Sequence, residues 1–297
     1  MENAILSARS DLIFKLIFGD QRNADILAAF LQSVLDLPEE EYGELVVVDP
    51  NLKREAPGDK LGILDVKIHT KSGTVIDVEI QVLNTPSMRE RVVYYLAKMV
   101  TEQIGKGDGY DAIQRAISIV ITDYVLVPEN ESYHNRYTLY DPKTGSEFTD
   151  AIEVDILELP KLPPQGDNTE LSDWLQFLKS RNKEELDMLS DKNPEIRKAV
   201  GVLMELSADE RTRLLYEQRE KARMDWDAIT RGARQEGVAE GMEKGMEKGM
   251  EKGKQEGREE GKIDVALNAL KMNMGIDAIS QLTGLTHDEI QSLREKQ

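Results

Sequence analysis

Residues 61–83 read LGILDVKIHTKSGTVIDVEIQVL and contain two runs in which apolar and polar residues alternate. Alternation of this kind is typical of β-strands that bury one face. Between the runs, Lys71-Ser72-Gly73 suits a three-residue hairpin loop, which is a type I turn closed by a glycine in the left-handed region. The stretch therefore predicts a β-hairpin.

The alternation divides this predicted hairpin into two faces. The apolar face is expected to pack into the core and consists of Leu64, Val66, Ile68, Ile76, Val78, Ile80 and Val82. The opposite face is polar and consists of Asp65, Lys67, His69, Asp77, Glu79 and Gln81. A three-residue loop sets the pairing so that Lys67 lies opposite Asp77 and Asp65 lies opposite Glu79.

Two carboxylates that face each other across a hairpin need an explanation. Directly opposed Cβ atoms are roughly 5 Å apart, and like charges at that distance are destabilising. If Lys67 neutralises Asp77, then Asp65 and Glu79 are left to share one cation. Mg²⁺ is suitable because it prefers one or two carboxylates together with water and phosphate oxygens, and Gln81 on the same face can hydrogen-bond such a water. The alternative is an ordinary solvated strand face whose register separates the two acids.

Strand and helix signals are interleaved through the first 160 residues, which predicts an α/β domain ending near Pro160. Two helices separated by Gly19 are expected within residues 10–36, and a third at about 87–104. Further strands are expected at 46–50, 116–127 and 152–159. A linker rich in proline and glycine follows at 160–168, and residues 171–234 are predicted to be helical.

The composition changes after about residue 235, where glycine recurs every fourth residue from Gly237 to Gly261 in tetrads such as GMEK. In a helix, each four-residue step would rotate the glycine by about 40° around the axis. Each interior glycine also costs roughly 1 kcal/mol relative to alanine, so an isolated helix is not expected. Two interpretations remain open: a spacer, or a stripe along which two helices approach closely in a dimer.

Residues 263–297 are predicted to fold as a small helix-turn-helix shape. IDVALNALKM and IDAISQL have helical periodicity, and Thr286 with Glu289 forms a capping box before the last helix. That helix begins with His287, Asp288 and Glu289, which places acids where DNA would approach. A docking or oligomerisation bundle is therefore favoured over base recognition.

The overall composition excludes several classes of function. A net charge of −18 argues against nonspecific coating of nucleic acid, although not against an enzyme that meets phosphate through divalent cations. Because there are no cysteines, disulfides, thiolate zinc sites and cysteine nucleophiles are excluded, and a reducing cytoplasm is the expected location. Neither a membrane-spanning helix nor a signal peptide is expected. The three histidines lie far apart in the sequence, which disfavours a histidine metal cluster.

The hairpin resembles the PD-(D/E)XK nuclease superfamily, and the wider sequence is similar to the Rpn family of recombination-promoting nucleases and transposases. The shared motifs occur in order over about residues 8–165 and are SDLIFKLIFGD, LDVKI, VEIQV, RERVVYYLAKM, ISIVITDYVLVP and ELPKLP. The resemblance implies a restriction-endonuclease-like α/β core with a mixed sheet flanked by helices, followed by an α-helical C-terminal region. The predicted segments are a nuclease-like domain (1–165), a helical region (166–235), a glycine-tetrad linker or helix (236–262) and a small helical segment (263–297).

The resemblance also implies hydrolysis of DNA phosphodiester bonds with Mg²⁺, or another divalent cation, as cofactor. In that mechanism Asp65 and Glu79 hold the metal, together with the Ile80 carbonyl, and Gln81 positions the attacking water. Two positions depart from the family pattern. Leu64 stands where a proline is expected, and Gln81 stands where a lysine is usual, so this position supplies no positive charge.

Four further charged residues are candidates for the same site. Asp11 and Lys15 occupy the first-helix position that some relatives bring near the metal, although both could also be surface charges. Arg89 and Arg91 could contact DNA phosphates, or Arg91 could instead brace Tyr95 one helical turn away.

Lys67 is a further accessory candidate, because it lies on the polar face of the hairpin and could replace the missing lysine. Pairing with Asp77 is the structural alternative for this residue.

Two functions from different classes follow from these features. The first is a Mg²⁺-dependent DNA endonuclease of the recombination-promoting, transposase-like type. The second is a catalytically inactive interaction protein that forms homo-oligomers through its helical C-terminal tail. The acidic balance and the missing motif lysine favour the second function, whereas the ordered motifs and the opposed acids favour the first.

Overall fold

A computed structural model describes residues 4–48, 64–85 and 87–295 of the chain. Residues 61–63 of the quoted stretch and residues 49–50 of the predicted first strand lie outside these ranges. The chain divides into two compact units, Met1–Ala222 and Arg223–Gln297.

The first unit is built on a mixed six-stranded sheet with the order β1-β2-β3-β4-β6-β5. Its strands are β1 (Val46–Val48), β2 (Val66–His69), β3 (Val75–Gln81), β4 (Ala116–Thr122), β5 (His134–Tyr140) and β6 (Glu147–Glu158). β3, β4 and β6 are parallel neighbours, and the other neighbouring pairs are antiparallel. Strand β5 was not predicted, because its mostly polar residues, HNRYTLY, lack the apolar alternation of a half-buried strand.

The hairpin of β2 and β3 forms with the predicted register. Lys67 pairs with Asp77, and the two flanking pairs follow the same alignment. The loop closes as expected, because Thr70 N donates to Thr74 O at 3.0 Å and Gly73 has a φ of 92°. Only glycine adopts such a backbone conformation readily, so Gly73 is what permits the tight loop.

The helices are α1 (Asp11–Phe18), α2 (Ala24–Val34), α3 (Glu39–Tyr42), α4 (Met88–Thr101), α5 (Glu170–Lys179), α6 (Lys183–Lys192), α7 (Pro194–Ala208), α8 (Glu210–Lys271), α9 (Ile276–Thr283) and α10 (His287–Glu295). The two predicted N-terminal helices are present, and Gly19 ends the first of them. The segment predicted to be helical from residue 171 is interrupted where Asn182 and Asn193 cap new helices through their side chains.

The two sides of the sheet are covered by different helices. The apolar hairpin residues Val66, Ile68, Ile76, Val78 and Ile80 pack into a large core that also contains residues of α1, α2, α5, α6 and α7. The opposite side of the sheet packs against α4. The hairpin face that the sequence predicted to be apolar is therefore confirmed, and its polar face is covered by a helix.

Leu64 is an exception to the predicted faces. It is fully buried, but it packs with Leu96 and Met99 of α4 rather than with the large core. The chain bends at Asp65 and β2 starts only at Val66, so strand alternation does not extend back to residue 64.

The large core continues past residue 165, where the sequence predicted a segment boundary. Trp174 of α5 is fully buried, and its ring centroid lies 5.9 Å from that of Phe18 in α1 and 6.0 Å from that of Phe30 in α2. Residues of α6 and α7 belong to the same core. Helices α5–α7 are therefore packed as part of the α/β unit.

The second unit contains most of α8, together with α9 and α10. The glycine tetrads lie within the continuous helix α8, so a helix is observed where an isolated one was not expected. Ion pairs between residues one turn apart, such as Glu240–Lys244, stabilise this exposed helix. The predicted capping box is present, since Thr286 N donates to Glu289 Oε2 at 2.8 Å and Glu289 N donates to Thr286 Oγ1 at 3.3 Å.

A small core holds the end of the chain together and comprises Ala266, Ala269, Ile279 and Ile290. Within the ranges given above, none of the helices combines the length and the apolar character that crossing a membrane would require.

Candidate active site

Asp65 lies at the bend that precedes β2, and its side chain takes over a hydrogen bond that a longer strand would make. Its Oδ2 accepts from the backbone amide of Ile80 at 2.9 Å. Its Oδ1 lies 2.9 Å from Nζ of Lys15, which α1 brings to the hairpin. The carboxylate is thus fixed at the edge of β3, beside the amide that directly follows Glu79.

Glu79 projects from β3 on the side covered by α4, and its side chain is only 1% exposed. Its Oε1 lies 2.9 Å from Nη2 of Arg91. The pKa of Glu79 is raised from 4.5 to about 7, chiefly by burial, while the positive charge of Arg91 lowers it and the negative charge of Asp65 raises it. The charges of the two acids therefore act on each other, although Asp65 is not itself part of the strand ladder.

Gln81 is the last residue of β3 and lies on the same face as Glu79, where its side chain is partly exposed. Its carbonyl accepts a hydrogen bond from the amide of Asp123 at 3.0 Å. The end of β3 is therefore tied to the segment that follows β4.

The predicted ion pair between Lys67 and Asp77 is wrong, although the two residues are paired in the strand register. Nζ of Lys67 instead lies 3.0 Å from Oε2 of Glu102, in the residue that follows α4. Helix α4 covers this face of the hairpin. Lys67 therefore pairs with Glu102, the C-cap residue of α4, and not with Asp77. Lys67 is consequently directed towards Glu102.

Of the two candidates in α1, only Lys15 reaches the acids. Asp11 is on the same helix, but its Oδ2 lies 2.6 Å from Nη1 of Arg219, and its side chain is half exposed. Lys15 and Asp11 lie four residues apart on one face of α1, and only Lys15 contacts Asp65.

The two arginine candidates of α4 have different surroundings. Arg91 touches Glu79 and also lies over the ring of Tyr95, with 5.1 Å between its guanidinium carbon and the ring centroid, so the predicted brace is present. Arg89 donates to the carbonyl of Leu126 and to Glu129, both at 2.8 Å, and its side chain is exposed.

Asp77 is the least expected feature of the site, because it is fully buried and neither carboxylate oxygen has a hydrogen-bond partner among the described residues. Burial raises its pKa well above the ordinary 3.8, and the negative charges of Glu79 and Asp65 raise it further. The positive charges of Arg91 and Lys67 act in the opposite direction. The folded protein therefore holds a proton on Asp77 where the unfolded chain has lost it.

Asp77→Asn is expected to stabilise the protein, and more so at high pH. Because the folded pKa of this acid is raised, its contribution to stability falls as the pH rises above the unfolded value, and asparagine has no such dependence. Each pH unit over which the folded protein keeps this proton while the unfolded chain has lost it costs about 1.4 kcal/mol, so the gain should be larger at pH 8 than at pH 5. Denaturant unfolding of both proteins at pH 5 and pH 8 measures this. An equal loss of stability at the two pH values would contradict the protonation argument.

The donor set suits a small hard cation. Two carboxylates converge at the end of β3, and in the structure each is neutralised by a cationic side chain, Lys15 for Asp65 and Arg91 for Glu79. In the part of the chain that the structure describes, no group of three or more acidic, histidine or cysteine side chains is arranged to hold a metal. Two carboxylates completed by waters and phosphate oxygens match the preference of Mg²⁺.

The chain matches the model of a known protein family. The model of the PD-(D/E)XK nuclease family transposases matches residues 8–233, which is most of the chain. The chain therefore belongs to this family, and both the resemblance drawn from the hairpin motifs and the predicted fold class are confirmed. No curated protein and no solved structure matches the chain.

Sequence reasoning missed Tyr124, which follows β4. Its hydroxyl oxygen is buried near Arg91 and Glu79, and it has no hydrogen-bond partner among the described residues. In the sequence it is a single aromatic residue at the end of an apolar run, and that pattern does not distinguish it from an ordinary core residue.

Proposed function

We propose that this protein is a Mg²⁺-dependent DNA endonuclease of the recombination-promoting, transposase-like type, acting in the cytoplasm. The observation that carries the proposal is the convergence of Asp65 and Glu79 at the end of β3, in a chain of a nuclease family. Other divalent cations with oxygen preference could replace Mg²⁺.

The position of each side chain in the site suggests its role in the proposed reaction. Asp65 and Glu79 would hold the cation together with the Ile80 carbonyl, and Ile80 N keeps Asp65 oriented. A bound Mg²⁺ would lower the pKa of a water and stabilise negative charge on the phosphoryl oxygens. Gln81 would hydrogen-bond and orient the attacking water.

Lys15 is proposed to supply the positive charge that the family's lysine usually provides. It reaches Asp65 from a different element, α1, and therefore compensates for the glutamine at position 81. Arg91 is proposed to contact DNA phosphate from α4. Arg89 is the weaker candidate of the pair because Glu129 and the Leu126 carbonyl already hold it.

Asp65→Ala is expected to abolish Mg²⁺-dependent cleavage, because the site loses one of its two carboxylates. The rate should fall by at least about a hundredfold, since even changes in residues that only support metal ligands cost up to that amount. Plasmid nicking by wild type and variant, with and without Mg²⁺, measures the effect. Asp25→Ala is a matched control, because Asp25 also pairs with a lysine, Lys198, at 2.5 Å but lies outside the site.

Equal nicking by wild type and Asp65→Ala across a series of divalent ions would reject the proposed activity. Loss of nicking in the Asp25→Ala control as well would show that the variants act through general destabilisation.

The second candidate function is assembly of homo-oligomers through the C-terminal tail. In α8, a side chain added at any glycine from Gly237 to Gly261 would meet no atom within 4 Å, and Met242, Met246 and Met250 are exposed. The seven tetrad glycines each cost this helix roughly 1 kcal/mol, so a partner that covers the helix would stabilise it. A second copy of this chain, packed along the glycine and methionine stripes, would supply one.

Deletion of residues 236–297 should lower the mass of the assembly measured in solution by light scattering. The compact unit Met1–Ala222 keeps its own core, so the shortened protein remains testable. An unchanged oligomeric state would remove the tail from consideration as the assembly element.

A further inference from the structure

Two buried hydrogen-bond donors next to Glu79 lack an acceptor within the residues that the structure describes. They are Nε of Arg91 and the hydroxyl of Tyr124, and both atoms are shielded from solvent. Such groups are uncommon in folded proteins, because removing a donor from water without giving it an acceptor costs free energy. A bound ligand that carries an acceptor would satisfy both donors.

The backbone around Tyr124 is held firmly at the end of β3. The amide of Asp123 donates to the carbonyl of Gln81 at 3.0 Å, and Thr122 Oγ1 donates to the carbonyl of Tyr124 at 2.8 Å. The Asp123 side chain is held in turn by Arg9 at 2.7 Å. The ring is therefore placed by fixed contacts on both sides of its own residue.

Tyr124 lies close enough to the Arg91–Glu79 ion pair for both charges to act on it. Burial raises the pKa of Tyr124, the positive charge of Arg91 lowers it, and the negative charge of Glu79 raises it. The side chain of Arg91 is 33% exposed, so part of it meets solvent, while its Nε is shielded. A phosphate that takes the place of the atoms shielding Nε and the Tyr124 hydroxyl would meet both donors together.

We infer that Tyr124 donates a hydrogen bond to a non-bridging oxygen of the DNA phosphate bound at Asp65 and Glu79, next to Arg91. The inference rests on the proposed nuclease function and adds a substrate-contacting residue to it. A phosphodiester fits because its two non-bridging oxygens share one negative charge and can accept from the phenol and from the guanidinium at the same time.

Tyr124→Phe tests this inference, because it removes only the hydroxyl. Hydrogen bonds to charged groups are strong enough that kcat for plasmid cleavage in Mg²⁺ should fall about tenfold to a hundredfold. The affinity for a short DNA duplex in Ca²⁺, measured by fluorescence anisotropy, should weaken as well. The Tm should stay the same or rise, since the removed oxygen has no partner in the folded protein.

Tyr133→Phe is the matched control. The hydroxyl of Tyr133 donates to Asp167 Oδ2 at 2.6 Å, away from the site, so this variant should lose some stability and keep its cleavage rate and duplex affinity. A fall in Tm for Tyr124→Phe as large as that for Tyr133→Phe would show that the Tyr124 hydroxyl has a structural partner, and would overturn the inference.

The remaining outcomes distinguish failure of the Tyr124 inference from failure of the proposed nuclease function. Wild-type cleavage and binding by Tyr124→Phe overturn the role of Tyr124 and leave the nuclease intact. A wild type that binds the duplex without cleaving it rejects the nuclease, and the binding comparison then decides on Tyr124. A wild type that does neither overturns both.

Discussion

Glu79→Gln is expected to lower the rate of DNA cleavage by on the order of a thousandfold, a loss at the upper end of that caused by removing one electrostatic stabiliser of a transition state. Glutamine has nearly the same shape as glutamate and still offers Arg91 an acceptor oxygen, so the packing between β3 and α4 should be kept. What the variant loses is the charge that would hold the cation. Single-turnover cleavage with saturating protein measures the loss.

The same substitution should not destabilise the protein at pH 8. The pKa of Glu79 is about 7 in the folded state against an ordinary 4.5, so the folded protein holds a proton that the unfolded chain releases within this window. Stability contributed by this group is therefore lost as the pH rises from 4.5 to about 7. Since each pKa unit corresponds to about 1.4 kcal/mol, glutamine could relieve up to about 3 kcal/mol.

Mg²⁺ binding provides an independent measurement of the same carboxylate. Calorimetric titration of the wild type should show affinity that increases with pH up to about 7 and then levels off, because the cation displaces a proton from Glu79 below that value. The Glu79→Gln protein should show no such rise. Glu185→Gln serves as the control, because Glu185 accepts from Ser180 Oγ in the helical part of the unit, outside the site.

Cleavage by Glu79→Gln at the wild-type rate would contradict the assignment of Glu79 to the site. If Glu79→Gln instead unfolds at pH 8, the carboxylate contributes to the fold through Arg91, and the loss of activity cannot be attributed to the cation.

Trp174→Ala is expected to destabilise the first unit by roughly 3–5 kcal/mol, the usual cost of truncating a buried tryptophan. The ring is fully buried and lies 6.0 Å or less from those of Phe18, Phe30 and Phe177. For a unit of this size the Tm should fall by about 10 °C. Thermal unfolding followed by circular dichroism provides the measurement.

Trp226→Ala is the matched control, because the second tryptophan lies on α8 and is 46% exposed. Its loss should change the Tm very little. Trp174→Phe should cost less than the alanine variant, since the indole nitrogen of Trp174 has no hydrogen-bond partner within the described ranges. A Tm that is insensitive to Trp174→Ala would mean that α5 does not belong to the core of the α/β unit.

Trp174 also connects stability to the site. Phe18, which it contacts, is in the helix that carries Lys15, and Lys15 holds Asp65. Loosening the aromatic cluster should therefore weaken cleavage at temperatures below the transition as well. The segment after residue 165 thus supports the site through the position of α1.

How much the sequence predicts depends on whether the relevant contacts are local. The hairpin register, the glycine at the turn and the capping box of Thr286 were all predictable, because each depends on residues within one turn or one pair of strands. Alternation also predicted the two faces of β2 and β3, although Asp65 lies before β2. These features depend on local backbone geometry, which the pattern of residue types along the chain predicts.

Strand β5 and the helical state of the glycine tetrads were beyond such reasoning. β5 lies at the edge of the sheet and is paired by β6, so it does not need the apolar alternation that reveals a half-buried strand. The low helix propensity of glycine argues against a helix through the tetrads. The observed helix α8 nevertheless continues through them.

The sequence by itself determined which side chains of β2 and β3 share each face of the hairpin, because alternation within a strand fixes them. Only the tertiary structure decided what covers the polar face. Helix α4 buries Asp77, raises the pKa of Glu79 and draws Lys67 to Glu102, and α1 delivers Lys15 to Asp65. The physical reason is that charge and burial depend on neighbours from distant segments, which periodicity along the chain does not specify.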